Sequence, residues 1–299
     1  MKYAIISDVH GNIITLKTVL SDAEKHNVDK YIFVGDYWSY FPYPNEVVSI
    51  IKNLKNAVVI KGNEEGYLTE YAKQNQSLWT DGQFQSHYWG FKTLNNENLN
   101  YLLTLPKLIT FADDGINITI THSSADVYGD VEHKKFTSSK IATKYQKTPN
   151  FSKEKLLNDI QEYIFNNTDF HSAIQPLDGV YIFGHTHVQW YAQYKNKTFI
   201  NPGSCGLPLD GSSGAPYTLM SIKENQVQIN ERRVPYDMDK LVTDFQKSSL
   251  FETAPVWSSI ILREMATGFE DVQFFLQFVN DYAKNINDNI RPFTIKTWT

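Results

Sequence analysis

The sequence predicts an α/β protein in which a sheet of short strands is covered by helices. In the N-terminal part of the 299-residue chain, short apolar runs alternate with segments whose apolar residues recur at helical spacing. This alternation is typical of strand–helix–strand units. A polar residue follows the end of several apolar runs. Because ligands bind at the carboxyl ends of strands in open α/β sheets, the same pattern predicts where a functional site lies.

The N-terminal region contains three predicted strands, at residues 3–6, 31–34 and 57–60. The helix between the first two has one apolar face, and Asn12 is well placed to cap its N-terminus. The next helix begins near Pro44, because proline suits the first helical turn. Together these elements form two successive strand–helix–strand units.

The rest of the chain changes from helical to mostly β-structure. Residues 64–105 are predicted to be mostly helical. Six further strands are predicted at residues 116–120, 179–183, 189–194, 198–200, 217–222 and 226–234. The first of these alternates isoleucine with asparagine or threonine, which indicates a half-buried strand. The last two are expected to pair as a hairpin.

Two segments lie outside this pattern. Residues 125–178 separate two strands by more than a short loop needs, so they are expected to be helical and to form a cap over the site, with one helix beginning after Ser152. Residues 235–299 are helical in pattern and rich in aromatic residues. We therefore predict a main domain at residues 1–234, with the cap at about 125–178, and a C-terminal helical subdomain at 235–299.

The composition is that of a globular protein, with 41% hydrophobic and 20% charged residues. The net charge of −5 provides no bulk attraction for nucleic acid or an anionic membrane surface. One cysteine, Cys205, excludes an intramolecular disulfide bond. No run approaches the ~20 apolar residues of a membrane span, and the N-terminal apolar run is too short for a signal peptide. We expect a cytoplasmic protein.

Residues with metal-ligand chemistry follow the predicted strands from five separate parts of the sequence. Glycine adjoins most of them, as expected where the chain turns sharply or approaches a ligand closely. Carboxylate, amide oxygen and imidazole without thiolate suit divalent Mn, Fe, Zn, Co or Ni. Seven candidates exceed the need of one tetrahedral ion and suffice for two ions if a carboxylate bridges them. The candidates are Asp8, His10, Asp36, Asn63, His122, His185 and His187.

The order and spacing of these motifs resemble the calcineurin-like metallophosphoesterase superfamily over about residues 1–232. The motifs are Asp8-Val9-His10, Gly35-Asp36, Gly62-Asn63, His122 and Gly184-His185-Thr186-His187. Residues 42–46 after the second motif, and Asn201-Pro202-Gly203-Ser204 after the last, resemble the small bacterial and archaeal phosphodiesterase branch.

The resemblance implies a two-sheet sandwich flanked by helices, and a role for each candidate ligand. One divalent ion would be held by Asp8, His10 and His187. A second would be held by Asn63, His122 and His185, and Asp36 would bridge the two. A metal-bridging hydroxide would then attack phosphorus, with Asp36 and Asn63 as catalytic residues and Asn63 helping to stabilise the phosphoryl charge.

One position departs from the family pattern. Many members carry a histidine directly after the asparagine, and this histidine contacts the phosphate or protonates the leaving group. Here the residue is Glu64. A carboxylate repels a phosphate unless it is protonated, so Glu64 receives no catalytic role and the general acid stays unassigned.

Substrate contacts are predicted from two features. The aromatic residues Tyr37, Trp38 and Tyr40 follow Asp36, where they could stack on a nucleobase or pack beneath a helix. His133 lies in the predicted cap, where it could contact a phosphate group of the substrate. The cap also contains lysines that could bind a polyphosphate or form a solvated helix face: Lys134, Lys135, Lys140 and Lys144. The four histidines outside the metal set are expected at the solvated surface: His26, His87, His133 and His171.

These features lean towards a small phosphate ester or nucleotide substrate, with diadenosine tetraphosphate as the specific expectation. A general phosphodiesterase or phosphomonoesterase is the alternative. A non-catalytic metal-binding interaction module is the alternative from another class, although it predicts eroded ligands. A nuclease is disfavoured because there is no long basic stripe. The aromatic C-terminal region is the expected place for any homo-oligomer contact.

Overall fold

The computed structural model describes residues 1–123, 152–166, 168 and 178–298, which fold into two facing β-sheets with helices outside them. In chain order, the strands in these residues are β1 (Lys2–Ile6), β2 (Lys30–Phe33), β3 (Ala57–Val59), β4 (Leu108–Asp113), β5 (Ile116–Thr121), β6 (Gly179–Ile182), β7 (Gln189–Tyr194), β8 (Lys197–Pro202), β9 (Ala215–Lys223) and β10 (Gln226–Val234). The predicted two-sheet sandwich is confirmed.

Each sheet has five strands, three of which are parallel neighbours. The first has the order β10-β9-β1-β2-β3, with β1, β2 and β3 parallel and β9 antiparallel to both β1 and β10. The second has the order β4-β5-β6-β8-β7, with β5, β6 and β8 parallel and each outer strand antiparallel to its neighbour. Parallel neighbours place their carboxyl ends at the same edge, so the residues that follow them lie close together.

The strand alternation explains the core. Tyr3 and Ile5 of β1 face the space between the sheets, where they meet Ile118 and Ile120 of β5. The intervening residues of β1 face outward and pack beneath the N-terminal helices. Both faces of β1 are therefore buried, which is why its sequence reads as a continuous apolar run.

The helices in the described residues cover the outer faces. They are α1 (Ile13–Lys25), α2 (Pro44–Asn53), α3 (Asn63–Lys73), α4 (Gln85–Thr93), α5 (Asn96–Thr104), α6 (Lys153–Asn166), α7 (Met238–Gln246), α8 (Ser249–Thr253), α9 (Pro255–Thr267) and α10 (Val272–Asn285). Asn12 caps α1 as predicted, since its side chain accepts a hydrogen bond from the Thr15 N–H. None of these helices has the length and apolar character that a bilayer crossing requires.

The strand β4 was not predicted. It is an edge strand with several exposed side chains, so its apolar pattern is weak. The available signal was the turn Asp114-Gly115, because an Asp-Gly pair between two β-like runs favours a hairpin. Both residues have positive φ, as such a turn requires.

The predicted cap lies outside the described residues except for α6 and its flanks. This helix begins after Ser152, as predicted, and packs Leu156 and Ile160 on the outer face of the second sheet. Lys153, at its N-terminus, places Nζ 2.6 Å from the Oδ2 atom of the fully buried Asp210. The helix is thus held both by apolar contacts and by a buried charge.

The C-terminal region is helical, as predicted, and packs directly on the main domain. One hydrophobic cluster contains Leu241, Phe245, Trp257 and Ile261 of these helices together with Phe41 from the loop before α2. The division at residue 234 stays a prediction. The shared cluster fixes α9 beside the edge where the strand-end residues gather.

Candidate metal centre

Asp8, His10 and His187 form the first group of metal-type side chains. One ligand atom from each lies within 4.8 Å of the others. The Nε2 atoms of His10 and His187 are 3.1 Å apart, and the Asp8 Oδ1 atom is 3.4 Å from the His187 Nε2 atom. These distances suit ligands that converge on one cation.

The second nitrogen of each imidazole identifies the atom left for a metal. His187 Nδ1 lies 2.8 Å from the Leu207 carbonyl oxygen, which can only accept, so Nδ1 carries the proton. The Nε2 atom therefore presents a lone pair. His10 Nδ1 lies 2.9 Å from the Ser39 hydroxyl oxygen. Burial, followed by the nearby His187, holds the pKa of His10 well below its usual range, so this ring is neutral, as a metal ligand must be.

Asp36, His122 and His185 form the second group, again with one ligand atom each within 4.8 Å. The Asn63 Oδ1 atom lies 2.7 Å from His185 Nδ1 and 3.0 Å from His122 Nε2. His122 donates from Nδ1 to the Val34 carbonyl oxygen at 2.6 Å, which directs Nε2 towards Asp36. The structure therefore brings carboxylate, amide oxygen and two imidazoles together.

The two groups adjoin each other. The Asp8 Oδ1 atom is 3.9 Å from the His122 Nε2 atom, which connects the first group to the second. All seven predicted residues are thus gathered at one edge of the sandwich, and their chemistry fits two divalent ions. The bridging role of Asp36 stays a prediction.

The Asp36 carboxylate and the His122 imidazole lie close enough to interact electrostatically. Their Oδ2 and Nε2 atoms lie 3.2 Å apart. Burial by itself lowers the pKa of His122, but the Asp36 carboxylate, with Asp8 and the Val34 carbonyl oxygen, outweighs burial and raises it to about 10. Without a cation, a proton on His122 balances the buried carboxylate. A metal ion must displace that proton.

The backbone is unusual at these positions. Five of the seven residues have φ between 51° and 67°, in the left-handed region that few residues other than glycine adopt: Asp8, His10, Asp36, His185 and His187. Such conformations cost about 1–3 kcal/mol each, and they cluster at functional sites. The surrounding structure therefore holds these side chains in place at the expense of backbone strain.

Buried hydrogen bonds brace the strained loops. Glu65, in the first turn of α3, accepts the N–H groups of Asp36, Tyr37 and Gly62 at 2.8–2.9 Å. Ser204 donates its hydroxyl to the Asp8 carbonyl oxygen at 2.7 Å. The segment 201–204 therefore contacts the loop that carries Asp8. Glu65 was missed, although a glutamate three residues after Gly62 is a helix-capping signal.

A cavity of about 370 Å³ opens over both groups. One side contains residues of the two metal-type groups with Tyr40. The rest of the lining comes from α9, the start of α10 and the turn between them, with Trp257, Ile261, Glu264 and Glu270. The C-terminal helices therefore form a wall of the site, a role the sequence did not indicate because these residues are remote from every ligand motif.

The predicted aromatic contacts are partly wrong. Tyr37 and Trp38 are fully buried, so neither presents a face to a substrate. Tyr37 packs in the N-terminal core, where its hydroxyl donates to the Ile60 carbonyl oxygen at 2.5 Å. Tyr40 does line the cavity and stacks on His10 with ring centroids 4.3 Å apart. His133 lies outside the described residues.

The prediction for His87 is also wrong. It is buried, not solvated, and its Nε2 atom lies 3.1 Å from the Oε2 atom of Glu64. The polar sequence around residues 85–87 suggested exposure, but α4 turns this face towards the site. His26 is partly exposed beside Asp22, while His171 lies outside the described residues.

Proteins with a similar sequence or fold are known. Residues 1–225 match the profile of the calcineurin-like phosphoesterase superfamily domain. The uncharacterized protein MJ0912 of Methanocaldococcus jannaschii is 26% identical over 264 residues, which cover 83% of this chain and 93% of that protein.

Two solved structures share the fold. A metallophosphoesterase from Sphaerobacter thermophilus has a TM-score of 0.60 at 22% identity, covering 90% of this chain and all of that one. The hypothetical protein PH1004 from Pyrococcus horikoshii OT3 has a TM-score of 0.63 at 19% identity, covering 90% of this chain and 99% of that one. The profile match extends across every ligand motif, and the chain therefore belongs to the calcineurin-like phosphoesterase superfamily.

Proposed function

We propose that this protein is a metal-dependent phosphoesterase that hydrolyses a phosphodiester or phosphoanhydride with two divalent cations. The observation that carries the proposal is the pair of adjoining ligand groups beneath one cavity. The Nε2 atoms of His10 and His187 lie 3.1 Å apart with the Asp8 carboxylate beside them, which is an arrangement suited to three ligands of one cation.

Each residue has a specific part in this proposal. Asp8, His10 and His187 hold one cation; Asn63, His122 and His185 hold the other, with Asp36 between them. When bound, the cations supply an activated water molecule and neutralise the phosphoryl oxygens. The hydrogen bonds from His122 to Val34 and from His187 to Leu207 keep the ligand nitrogens aimed at the site.

The finer proposal is a nucleotide substrate, with diadenosine tetraphosphate as the first candidate. Trp257 and Tyr40 border the cavity with ring centroids 5.1 Å apart. One face of Tyr40 is already covered by His10, and Trp257 is only 7% exposed, so a base would contact the exposed parts of these two rings. Aromatic stacking of a base contributes about 1–3 kcal/mol.

A simpler phosphodiester or phosphomonoester is the second candidate, and the charge of the cavity favours it. Among the described residues that line the cavity there is no lysine or arginine, whereas Glu264 and Glu270 are present. A chain of several phosphates would receive no favourable charge from this wall. The lysines predicted to bind a polyphosphate lie outside the described residues.

A hydrolysis panel distinguishes these substrates. The manganese-loaded protein would be given diadenosine tetraphosphate, ATP, AMP, a cyclic nucleotide and an aryl phosphodiester, with products identified by chromatography. Cleavage of the dinucleotide would support the nucleotide proposal. Activity on the aryl diester alone would leave the enzyme class intact and remove the nucleotide.

The panel also tests the rival proposal of a non-catalytic binding module. Two bound metal ions without turnover of any substrate would favour that module. Asp36→Asn is the matched control, because it removes one buried carboxylate charge while keeping the shape of the side chain. We expect it to lower metal content and activity together.

The cellular location and the oligomeric state of the protein are also proposals. We propose a cytoplasmic enzyme without a nucleic-acid or membrane partner. Phe278 and Tyr282 of α10 are 62% and 42% exposed, and their rings stack with centroids 6.5 Å apart. This exposed pair supports self-association through the C-terminal region, which light scattering after size-exclusion chromatography would test.

A further inference from the structure

Glu64 lies directly behind the second metal-type group. It is the second residue of α3 and is 2% exposed. Its Oε1 atom lies 3.2 Å from the Asn63 Nδ2 atom and 3.4 Å from the Tyr40 hydroxyl. Its Oε2 atom lies 3.1 Å from His87 Nε2. Three polar groups therefore converge on one buried carboxylate.

The contact between Glu64 and Asn63 determines the orientation of the Asn63 side-chain amide. An ionised carboxylate only accepts hydrogen bonds, so it must face the NH₂ group of the amide. The amide oxygen then faces His122 Nε2 and His185 Nδ1, at 3.0 and 2.7 Å. The opposite orientation would place the amide oxygen against the carboxylate. Because only the oxygen of an amide is suited to a divalent ion, this orientation matters for metal binding.

His87 holds the carboxylate in turn. The ring comes from α4 and donates Nε2–H to Glu64, since the carboxylate can only accept. Aromatic rings surround the imidazole with centroids 5.8–6.4 Å from its own and fix its position: Trp38, Tyr40, Tyr67, Tyr71, Phe84 and Trp257. This enclosure leaves His87 little freedom to turn away.

We propose that Glu64 and His87 are a positioning pair that fixes the amide of Asn63 for metal binding. The inference rests on the proposed metal role of Asn63. Asn63 and Tyr40 line the cavity, and the pair stands behind them in the described structure. The pair therefore acts through Asn63 and not by touching the substrate. It also explains how a glutamate is accommodated where many family members carry a histidine.

The test measures metal affinity in chelator-treated protein titrated with Mn²⁺. In Glu64→Ala the amide is free to turn, and one of the two sites should weaken about 10- to 100-fold, as expected for loss of a residue behind a ligand. The other site should keep its affinity. Saturating Mn²⁺ should restore much of kcat, with KM for the substrate little changed.

Glu64→Gln is the conservative variant. Its carbonyl oxygen can still accept from Asn63 Nδ2, while its NH₂ group can donate to His87 Nε2. Metal affinity should therefore stay near that of the wild type. Tyr67→Phe, which keeps the ring packed against His87, is the matched control and should change neither site. A role confined to folding would lower the melting temperature of the metal-free protein in Glu64→Ala without weakening one site selectively.

The outcomes separate this inference from the proposed function. In one outcome, the wild-type protein binds two ions and turns over substrate, and Glu64→Ala has the same two metal affinities as the wild type. This result would overturn the positioning pair but not the proposed function. Wild-type protein without metal binding would overturn both. Should Glu64→Ala fail to fold, His87→Phe tests the same claim, because its ring suits the aromatic enclosure. Selective weakening of one site supports the pair, and unchanged affinities overturn it.

Discussion

The Nε2 atoms of His10 and His187 face each other at 3.1 Å, although their residues lie 177 positions apart in the sequence. The Nδ1 atom of His187 is committed to a backbone carbonyl oxygen, so its Nε2 atom carries a lone pair. Burial keeps the opposing ring of His10 neutral. The two Nε2 atoms, with the Asp8 Oδ1 atom 3.4 Å from that of His187, are placed as ligands of one cation, and this pair is a clear sign of a metal site in the described structure.

Metal affinity should increase with pH because a proton must leave His122. Burial alone would lower the pKa of this ring, but Asp36, Asp8 and the Val34 carbonyl oxygen together raise it to about 10. Displacing one proton strengthens binding about tenfold per pH unit below that value. Calorimetric titration with Mn²⁺ at pH 6, 7 and 8, in buffers of different ionisation enthalpy, would measure both affinity and proton release. Binding independent of pH would contradict the assignment.

Gly35→Ala should disrupt the second ligand group. Gly35 has φ of 101°, and a Cβ atom there would lie 2.5 Å from His122 Nδ1. We expect about 1–3 kcal/mol of destabilisation from the backbone alone, together with weaker metal binding. Denaturant unfolding and metal titration would measure the two effects.

Gly66→Ala is the matched control for that change. No heavy atom lies within 4 Å of a Cβ built there, and the residue is inside α3. The substitution should stabilise the protein by about 0.5–1 kcal/mol. Equal effects at the two glycines would show that the Gly35 loop has no special geometry.

The acidic wall should select against polyphosphates. Glu264 accepts the N–H groups of Asp271 and Val272 at 2.6 and 2.8 Å, and burial, then Glu270, raises its pKa well above the usual range. With one carboxyl protonated, the pair carries about one negative charge. Glu270→Gln should therefore lower KM for ATP a few-fold, because removing a screened charge changes the binding free energy by on the order of 1 kcal/mol. KM for an aryl phosphodiester, whose aryl group is uncharged, should stay unchanged.

The control for the wall is Glu252→Gln, which makes the same charge change at an exposed position of α8. It should alter neither KM. A similar fall in KM from both variants would indicate a general effect of net charge and not a property of this wall.

Asp210 should stabilise the fold above about pH 4 and lose this contribution in acid. It is fully buried and bonded to Lys153, Arg233 and the Gln189 N–H. Burial would raise its pKa, but the charges of Lys153 and Arg233 outweigh burial and lower it. A carboxyl with a lowered native pKa stabilises above its unfolded pKa of about 3.9, and the contribution falls as pH drops towards the native value.

Asp210→Asn should accordingly cost about 2 kcal/mol at pH 7, as for loss of charged hydrogen bonds, and less at pH 3. Urea unfolding at both pH values would measure this. Asp178→Asn, which removes an exposed ion pair with Lys197, should change stability little at either pH. A cost at Asp210 that is independent of pH would contradict the charge argument.

The sequence was sufficient to locate the ligand groups because each candidate follows a strand, and strands with buried faces are recognisable from local pattern. Asp8 lies two residues after the end of β1, His122 one residue after β5 and His185 three residues after β6. Once the sheets form, these ends meet. The positions of the ligand residues can therefore be predicted from the local pattern of each strand and from the rule that ligands bind at the carboxyl ends of strands.

The opposite wall of the cavity could not be predicted in the same way. Trp257 and Glu264 reach the site only because α9 packs on Phe41 and its neighbours, a contact between residues far apart in the sequence. The burial of His87 has the same origin, since α4 is positioned by packing. Tyr37 and Trp38 adjoin the ligand Asp36 in sequence, but the chain turns inward after it and buries both rings.

The number of divalent ions bound per chain tests the proposed two-metal site most directly. Chelator-treated protein would be reloaded with Mn²⁺, freed of excess metal and measured by inductively coupled plasma mass spectrometry, beside His10→Ala and His122→Ala. We expect two ions in the wild type and about one in each variant, because the variants remove a ligand from different groups. Wild-type protein that retains no ion, or variants that retain two, would contradict it.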